Sequence, residues 1–184
     1  MSPIKEPSYL ADELRRHNFH PRFQTRFLEE HENVRRYFAG PMRQKRFGGP
    51  VVDWESYVRL FQNARKRHAI GEASASYPWS ASAAQNIAAR IPEAKIVMML
   101  RNPAEKAYSQ YLRVVSGGLV RHTFREQVRQ ILNGERSRFD VLNPLLEFSL
   151  YSEQLDRHLK AFRARKVKIY LYEDYRRNPG PNSC

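Results

Sequence analysis

The chain has 184 residues, of which 41% are hydrophobic and 12% aromatic, so it can bury a core, and a disordered basic tail is excluded. No apolar run approaches the ~20 residues of a membrane span. Met1-Ser2-Pro3-Ile4-Lys5-Glu6-Pro7 does not read as a signal peptide, and Cys184, the single cysteine, excludes an internal disulfide or cysteine-based metal site and fits a reducing, cytoplasmic setting. A net charge of +13 calls for an anionic partner; nucleic acid is the generic choice, and a polyanionic nucleotide with an acidic acceptor serves as well.

Residues 1–50 read as irregular, interrupted by Pro3, Pro7, Pro21, Pro41 and Pro50, with a short helix from about Phe23 to Phe38. Asp53 is placed to cap a helix that turns Trp54, Tyr57, Val58 and Phe61 inward and carries Arg65, Lys66 and Arg67 in its last turn. His68 to Ile70 reads as a short strand running into Gly71-Glu72. Ser80 to Arg90 is an alanine-rich helix ended by Pro92.

Ile96 to Leu100 is continuously apolar and ends in a polar turn, which predicts a strand buried on both faces. Asn102 is a good N-cap, Pro103 suits the first helical position, and Glu105 can complete a capping box. Ala107, Tyr108, Tyr111, Leu112 and Val115 then form an apolar stripe, and Gly117-Gly118 stops the helix. Asn102, Lys106, Ser109 and Arg113 share the other face. Thr123 and Glu126 form a capping box for a helix that turns Phe124, Val128, Ile131 and Leu132 inward and ends at Gly134. A helix from about Ser149 to Arg163 carries Tyr151, Leu155, Leu159 and Phe162, and Val167 to Tyr172 alternates as a strand. Strands alternating with helices predict βαβ units and a parallel sheet. The basic runs Arg43-Gln-Lys-Arg46, Arg65-Lys-Arg67 and Arg163-Ala-Arg-Lys166 read as solvated faces or helix C-termini.

The strand, turn and helix at 96–116 place Arg101 at a strand's carboxyl end, where open α/β sheets bind ligands, and a helix N-terminus there favours an anion. Arg101 and Ser109 can converge on one phosphate, the guanidinium as a charge-assisted fork and the hydroxyl as a further donor. The alternative is a plain strand-turn-helix with a surface arginine. Glu6 precedes Pro7 and is held extended, either as an acid–base group or as a solvated glutamate beside Lys5. Glu72 and Ser74 follow a strand and serve either to position a ligand or to form a structural turn. His17 and His20 lie near the Lys5-Glu6 segment and are candidates for an acidic acceptor. The six histidines show no metal-ligand spacing, so no metal is expected.

Leu100-Arg101-Asn102-Pro103-Ala104-Glu105-Lys106-Ala107-Tyr108-Ser109 resembles the 3′-phosphate motif of the sulfotransferases that use 3′-phosphoadenosine 5′-phosphosulfate (PAPS). Met1-Ser2-Pro3-Ile4-Lys5-Glu6-Pro7-Ser8-Tyr9-Leu10 is similar to the family's Lys-Glu-Pro/aromatic stretch. Gly71-Glu72-Ala73-Ser74-Ala75-Ser76-Tyr77 is similar to its Gly-Glu-x-Ser-Pro-x-Tyr segment, with Ala75 at the usual proline and Ala73 where lysine is common. Glu173-Asp174 resembles the Tyr-Glu-Asp-Leu segment, as a cap or turn. Tyr151 stands at the family's Gly-x-Tyr position without the glycine, and a core tyrosine is the simpler reading. The bacterial and heparan-type carbohydrate enzymes are the most similar group.

The resemblance implies an α/β, P-loop-NTPase-like parallel sheet flanked by helices. It implies that Arg101 and Ser109 bind the 3′-phosphate, that Glu6 is the general base, and that Lys5, His17, His20, Glu72 and Ser74 lie on the substrate side. The implied reaction moves a sulfuryl group from PAPS to a hydroxyl or amine of a carbohydrate, lipid or small-molecule acceptor. A non-catalytic remnant that binds a nucleotide 3′-phosphate or anionic glycan is the second reading. The third, a basic nucleic-acid-binding module, has no motif behind it.

The family's Pro-Lys-x-Gly-Thr-Thr loop is absent from these 184 residues, and Gly48-Gly49-Pro50 lacks its lysine and hydroxyls. The expectation is a single, incomplete domain: an acceptor-side segment over 1–50, an α/β core over 51–175, and a short tail over 176–184. It would lack the first strand and its phosphate loop. A sheet without that strand would expose backbone edges and apolar surface, and favour self-association.

Overall fold

The computed structural model describes residues 2–19, 21–64, 68–118, 120–135 and 145–178. His20 and the basic run Arg65–Arg67 therefore lie outside the described residues. Two compact units divide the chain, Met1–Asn86 and Ile87–Cys184. Each contains a two-stranded parallel sheet among its described residues, with helices around it.

In the first unit, β1 (Ile4–Lys5) pairs with β2 (Arg46–Phe47), placing Ile4 opposite Arg46 and Lys5 opposite Phe47. On β1's other side the Ser2 and Glu6 N–H groups donate to the Gly71 and Ala73 carbonyls at 3.0 and 3.2 Å. The strand expected over His68–Ile70 is not formed. Its pairing role passes to residues 71–73, and Ile70 is left exposed. Between β1 and β2 runs α1 (Pro21–Ala39), longer than expected because Pro21 opens the helix instead of breaking it. Gly49, at φ +117, lets the chain leave β2 against this helix; a Cβ there would meet Val34 at 2.4 Å.

Asp53 caps α2 (Trp54–Arg59) as expected, its Oδ1 accepting from the Ser56 N–H at 2.7 Å. Tyr57 and Leu60 are buried, whereas Val58, expected inside, is exposed. The start of α3 (Ala83–Arg90) is held by a residue seventy positions away. Glu13 accepts from the Ala81 and Ser82 N–H groups at 2.8 and 3.1 Å and from the Ser80 and Ser82 hydroxyls at 2.6 and 3.0 Å. Burial pushes the Glu13 carboxyl up, but these donated hydrogen bonds outweigh it and hold it below its ordinary value.

In the second unit, β3 (Ile96–Leu100) pairs with β4 (Val167–Leu171), Ile96 opposite Val167 through Leu100 opposite Leu171. Lys166 sits just before this register and donates to the Pro92 carbonyl at 2.7 Å and to Glu93 at 3.0 Å. The expectation that β3 is buried on both faces fails. Met98 is buried, but Val97 is 68% and Met99 49% exposed, because no further strand or helix among the described residues covers that face. Ile169, Tyr170 and Leu171 on β4 are also exposed, as expected of a sheet with unpaired edges.

α4 (Pro103–Ser116) has the expected boundaries, and Gly118 beyond it adopts φ +69. Its inward stripe is not the expected one. Ala107 and Val114 are buried, while Leu112 and Val115 are exposed. Tyr108 and Tyr111 instead pack edge-on against Phe124, at 5.3 and 5.4 Å, and Tyr111 donates to the His122 carbonyl at 2.8 Å. These contacts tie α4 to α5 (Phe124–Leu132), which Thr123 caps as expected. In α5 Gln127 and Ile131 are buried and Leu132 is exposed. In α6 (Tyr151–Ala161) the buried positions are Gln154 and His158 instead of the expected Leu155 and Leu159, and Phe162 beyond it is buried as predicted. His158 bonds the Gln154 carbonyl one turn back at 2.9 Å, so a polar residue fills that face. α7 (Tyr172–Arg177) follows β4 directly.

Glu13→Ala should cost about 1–3 kcal/mol by unsatisfying the α3 start, read from urea unfolding at neutral pH. Its depressed carboxyl contributes stability above its ordinary value of 4.5 that is lost as pH falls, so the gap between wild type and variant should close in acid. The open β3–β4 surface predicts concentration-dependent self-association in sedimentation experiments, relieved by Val97→Lys; a monomer at all concentrations would refute it.

Candidate functional site

The candidate residues fall into two groups, one in each unit. In the first unit, Lys5 ends β1 and lays its ammonium 5.0 Å from the centre of the exposed Phe47 ring. Glu6 follows, half-buried, with its backbone at φ 60. It is extended no longer, contrary to the reading from Pro7. Ser8 is also left-handed, at φ 51. Both left-handed residues pair their backbone N–H with the 73–74 stretch: Glu6 N–H donates to the Ala73 carbonyl, and Ser8 N–H to Ser74 Oγ at 3.0 Å.

Glu72 does not face outward as an acceptor-positioning carboxylate would. Its Oε1 accepts from the Tyr57 hydroxyl at 3.3 Å, its Oε2 from Ser74 Oγ at 2.8 Å, and Tyr77 also bonds it. Burial pushes the Glu72 carboxyl up; the bonds from Tyr77, Ser74 and Tyr57 pull it back, and the nearby Glu6 charge pushes it up again. Burial also drives the Tyr57 and Tyr77 hydroxyls far up, with the Glu72 charge adding to it. Both tyrosines are therefore fixed donors. Ser74 is buried in the same network, so neither candidate is a free ligand-binding group. His17 is exposed on a short 3₁₀ turn, Arg16–Asn18.

In the second unit, β3 delivers Arg101 at its carboxyl end, and Asn102 caps α4, accepting from the Ala104 and Glu105 N–H groups at 3.0 and 3.2 Å. The expected capping box is not closed. Glu105 instead accepts from Arg101 Nε and Nη2 at 3.3 and 3.1 Å. The Asn102 N–H is taken by the Glu173 carboxylate at 2.7 Å, and that bond lowers the Glu173 carboxyl below its ordinary value. The anion favoured at this helix start is thus supplied by the chain itself.

Arg101 lies over the Tyr172 ring at 5.4 Å, and its N–H donates to the Tyr151 hydroxyl at 3.3 Å. Tyr151 is half-buried beside the turn, not a plain core residue. Lys106, one turn into α4, holds its ammonium 5.0 Å from the Tyr151 ring and 5.5 Å from Phe148; burial pushes it below its ordinary value. Ser109 is exposed one turn further along. Arg101, Lys106 and Ser109 are thus presented by one turn and the helix that follows it. The contacts of Tyr151 and Lys106 were not foreseen; the spacing of Lys106 from Asn102 was the visible signal.

No protein-family model matches the chain. Over 136 residues it is 30% identical to bifunctional heparan sulfate N-deacetylase/N-sulfotransferase 1 of Caenorhabditis briggsae, covering 70% of this chain and 15% of that protein. Over 166 residues it is 29% identical to the type 2 protein of Bos taurus, covering 83% of this chain and 18% of that one. The crystal structure of a sulfotransferase from Alicyclobacillus acidocaldarius superposes with a TM-score of 0.73 at 27% identity, over 97% of this chain and 64% of that one. The chain is a member of the sulfotransferase family. It spans less than a fifth of the length of these curated relatives. This sulfotransferase-family chain joins helices to small parallel sheets, and no described helix is long and apolar enough to cross a membrane.

Because the Glu72 carboxyl is raised, stability is fully present below its ordinary value of 4.5 and is lost as pH rises through the higher folded value. Glu72→Gln should remove that loss, so the difference in Tm between variant and wild type should change across pH 4–8, favouring the variant most at the alkaline end. A difference independent of pH would show that Glu72 does not titrate as described.

Proposed function

We propose that this chain is the acceptor-side and 3′-phosphate-binding part of a P-loop-like enzyme that transfers a sulfuryl group from PAPS to a hydroxyl or amine. The acceptor is a carbohydrate, lipid or small molecule, and the names of the heparan sulfate relatives favour the carbohydrate. The observation that carries the reading is the Arg101 turn, where a strand end, a capped helix, a guanidinium and Ser109 stand in the order the family motif requires.

The acceptor oxygen or nitrogen attacks sulfur, the bond from sulfur to the 5′-phosphate oxygen breaks, and adenosine 3′,5′-bisphosphate leaves with the electron pair. Glu6, on a kinked backbone directly after β1, takes the acceptor proton. Arg101 and Ser109 anchor the 3′-phosphate, fixing the donor for in-line displacement. To bind phosphate the Arg101 fork must exchange Glu105 for the ligand, an exposed pair worth at most about 1 kcal/mol. Lys5 and His17 lie on the acceptor side with Glu6, as does His20 by its place in the sequence. The chemistry needs no metal, and the single cysteine favours a reducing, cytoplasmic setting.

Calorimetry should detect adenosine 3′,5′-bisphosphate binding that weakens about tenfold to a hundredfold in Arg101→Ala. Equal affinity for random DNA with a steep salt slope would replace this reading with a nucleic-acid module. With no Lys-x-Gly-Thr-Thr segment in the 184 residues, transfer of labelled sulfate by this chain alone should be weak or undetectable. Any turnover that is seen should vanish in Glu6→Gln.

A further inference from the structure

We infer that Glu72 is a positioning residue for Glu6, acting through the Ser74 hydroxyl; this rests on the reading of Glu6 as the acceptor base. Glu6 and Ser8 flank Pro7, and both adopt a left-handed backbone without being glycine. Such conformations persist only where neighbouring groups over-determine them, and they gather at functional sites. Here the determining groups form a chain of hydrogen bonds. Ser74 Oγ donates its proton to Glu72 Oε2 at 2.8 Å, which turns its lone pairs toward the Ser8 N–H at 3.0 Å. Ser76 Oγ adds a bond to Ser8 Oγ at 2.9 Å, and the Ala73 carbonyl, between Glu72 and Ser74, receives the Glu6 N–H at 3.2 Å.

The carboxylate is what makes this chain directional. Tyr57, Ser74 and Tyr77 all bond Glu72, and all can donate at once because an ionised carboxylate only accepts. A glutamine there offers one acceptor oxygen and two donor hydrogens, so at least one hydroxyl must reverse or break away. The titratable groups facing Glu72 are Tyr57 from α2, Tyr77 from its own loop and Glu6 from the N-terminal segment. The kink therefore has a polar support of three hydroxyls and one carboxylate, buried at Tyr57 and Ser74 and half-buried at Glu72 and Tyr77.

Amide hydrogen exchange by NMR on the 184-residue chain tests the relay. In Ser74→Ala and Glu72→Gln the Ser8 and Glu6 amides should exchange about tenfold faster or more, the equivalent of losing one directed hydrogen bond. The Ser56 amide, capped independently by Asp53, should be unchanged. Ser74→Thr should restore slow exchange. Carbon-detected titration should show the Glu72 midpoint falling in Glu6→Gln, which removes the facing charge. Where transfer is measurable, Glu72→Gln should lower kcat with donor KM unchanged. Unaltered Ser8 exchange in both variants, equal acceleration at Ser56, or an unmoved Glu72 midpoint each overturn the inference. Retained transfer in Glu6→Gln instead overturns the base assignment, and the exchange results still decide whether Glu72 sets the kink.

Discussion

The Asn102 N–H meets the Glu173 carboxylate at 2.7 Å, and the start of α4 in the second unit is held by that bond. It joins the residue after β3 to the first turn of α7, which follows β4, so the two strand ends are locked on the same side. It also settles where charge sits. A helix start that would attract a free anion already holds a carboxylate, and Asn102 itself satisfies the next two N–H groups. The Arg101, Lys106 and Ser109 side chains stand beside this already occupied helix start.

The first unit uses the same device. Glu13 closes the start of α3, and Glu72 gathers three hydroxyls beneath the Glu6 kink. With 32 basic and 19 acidic residues, the chain has few carboxylates to place, and Glu13, Glu72 and Glu173 each accept from donors of the chain itself. Their partners push them in different directions. Glu13 and Glu173 receive enough hydrogen bonds to stay ionised easily, while burial keeps Glu72 raised. Acid therefore weakens the α3 start, whereas rising pH costs stability at Glu72 because its charge is held away from water.

Much of the local structure was legible in the residues. Asp53, Asn102 with Pro103, and Thr123 each signalled a helix start through a side chain two or three positions from the N–H it accepts, and each is found there. The family resemblance was legible for the same reason, since Leu100 to Ser109 is one contiguous element. The buried faces were less legible. Leu112, Val115, Leu132 and Leu159 suit a core by type, yet Val114, Gln127, Gln154 and His158 are the residues inside. A helix buries whatever face its neighbours cover, and in α6 that face is polar, with His158 bonded to the Gln154 carbonyl.

By itself the sequence determined the strand–turn–helix at Arg101, the residue types that stand there and beside Pro7, and the family resemblance they carry. Those features rest on short-range steric and hydrogen-bonding rules. Only the tertiary structure decided that Glu105 occupies the Arg101 fork, that Glu173 fills the Asn102 N–H, that Tyr151 braces the turn, and that Glu72 faces inward to three hydroxyls. Three of those four involve partners fifteen or more positions apart, as in the Tyr57–Glu72 bond. A carboxylate's role depends on which donors the fold brings to it and how much water the fold removes, and neither is written in its neighbours along the chain.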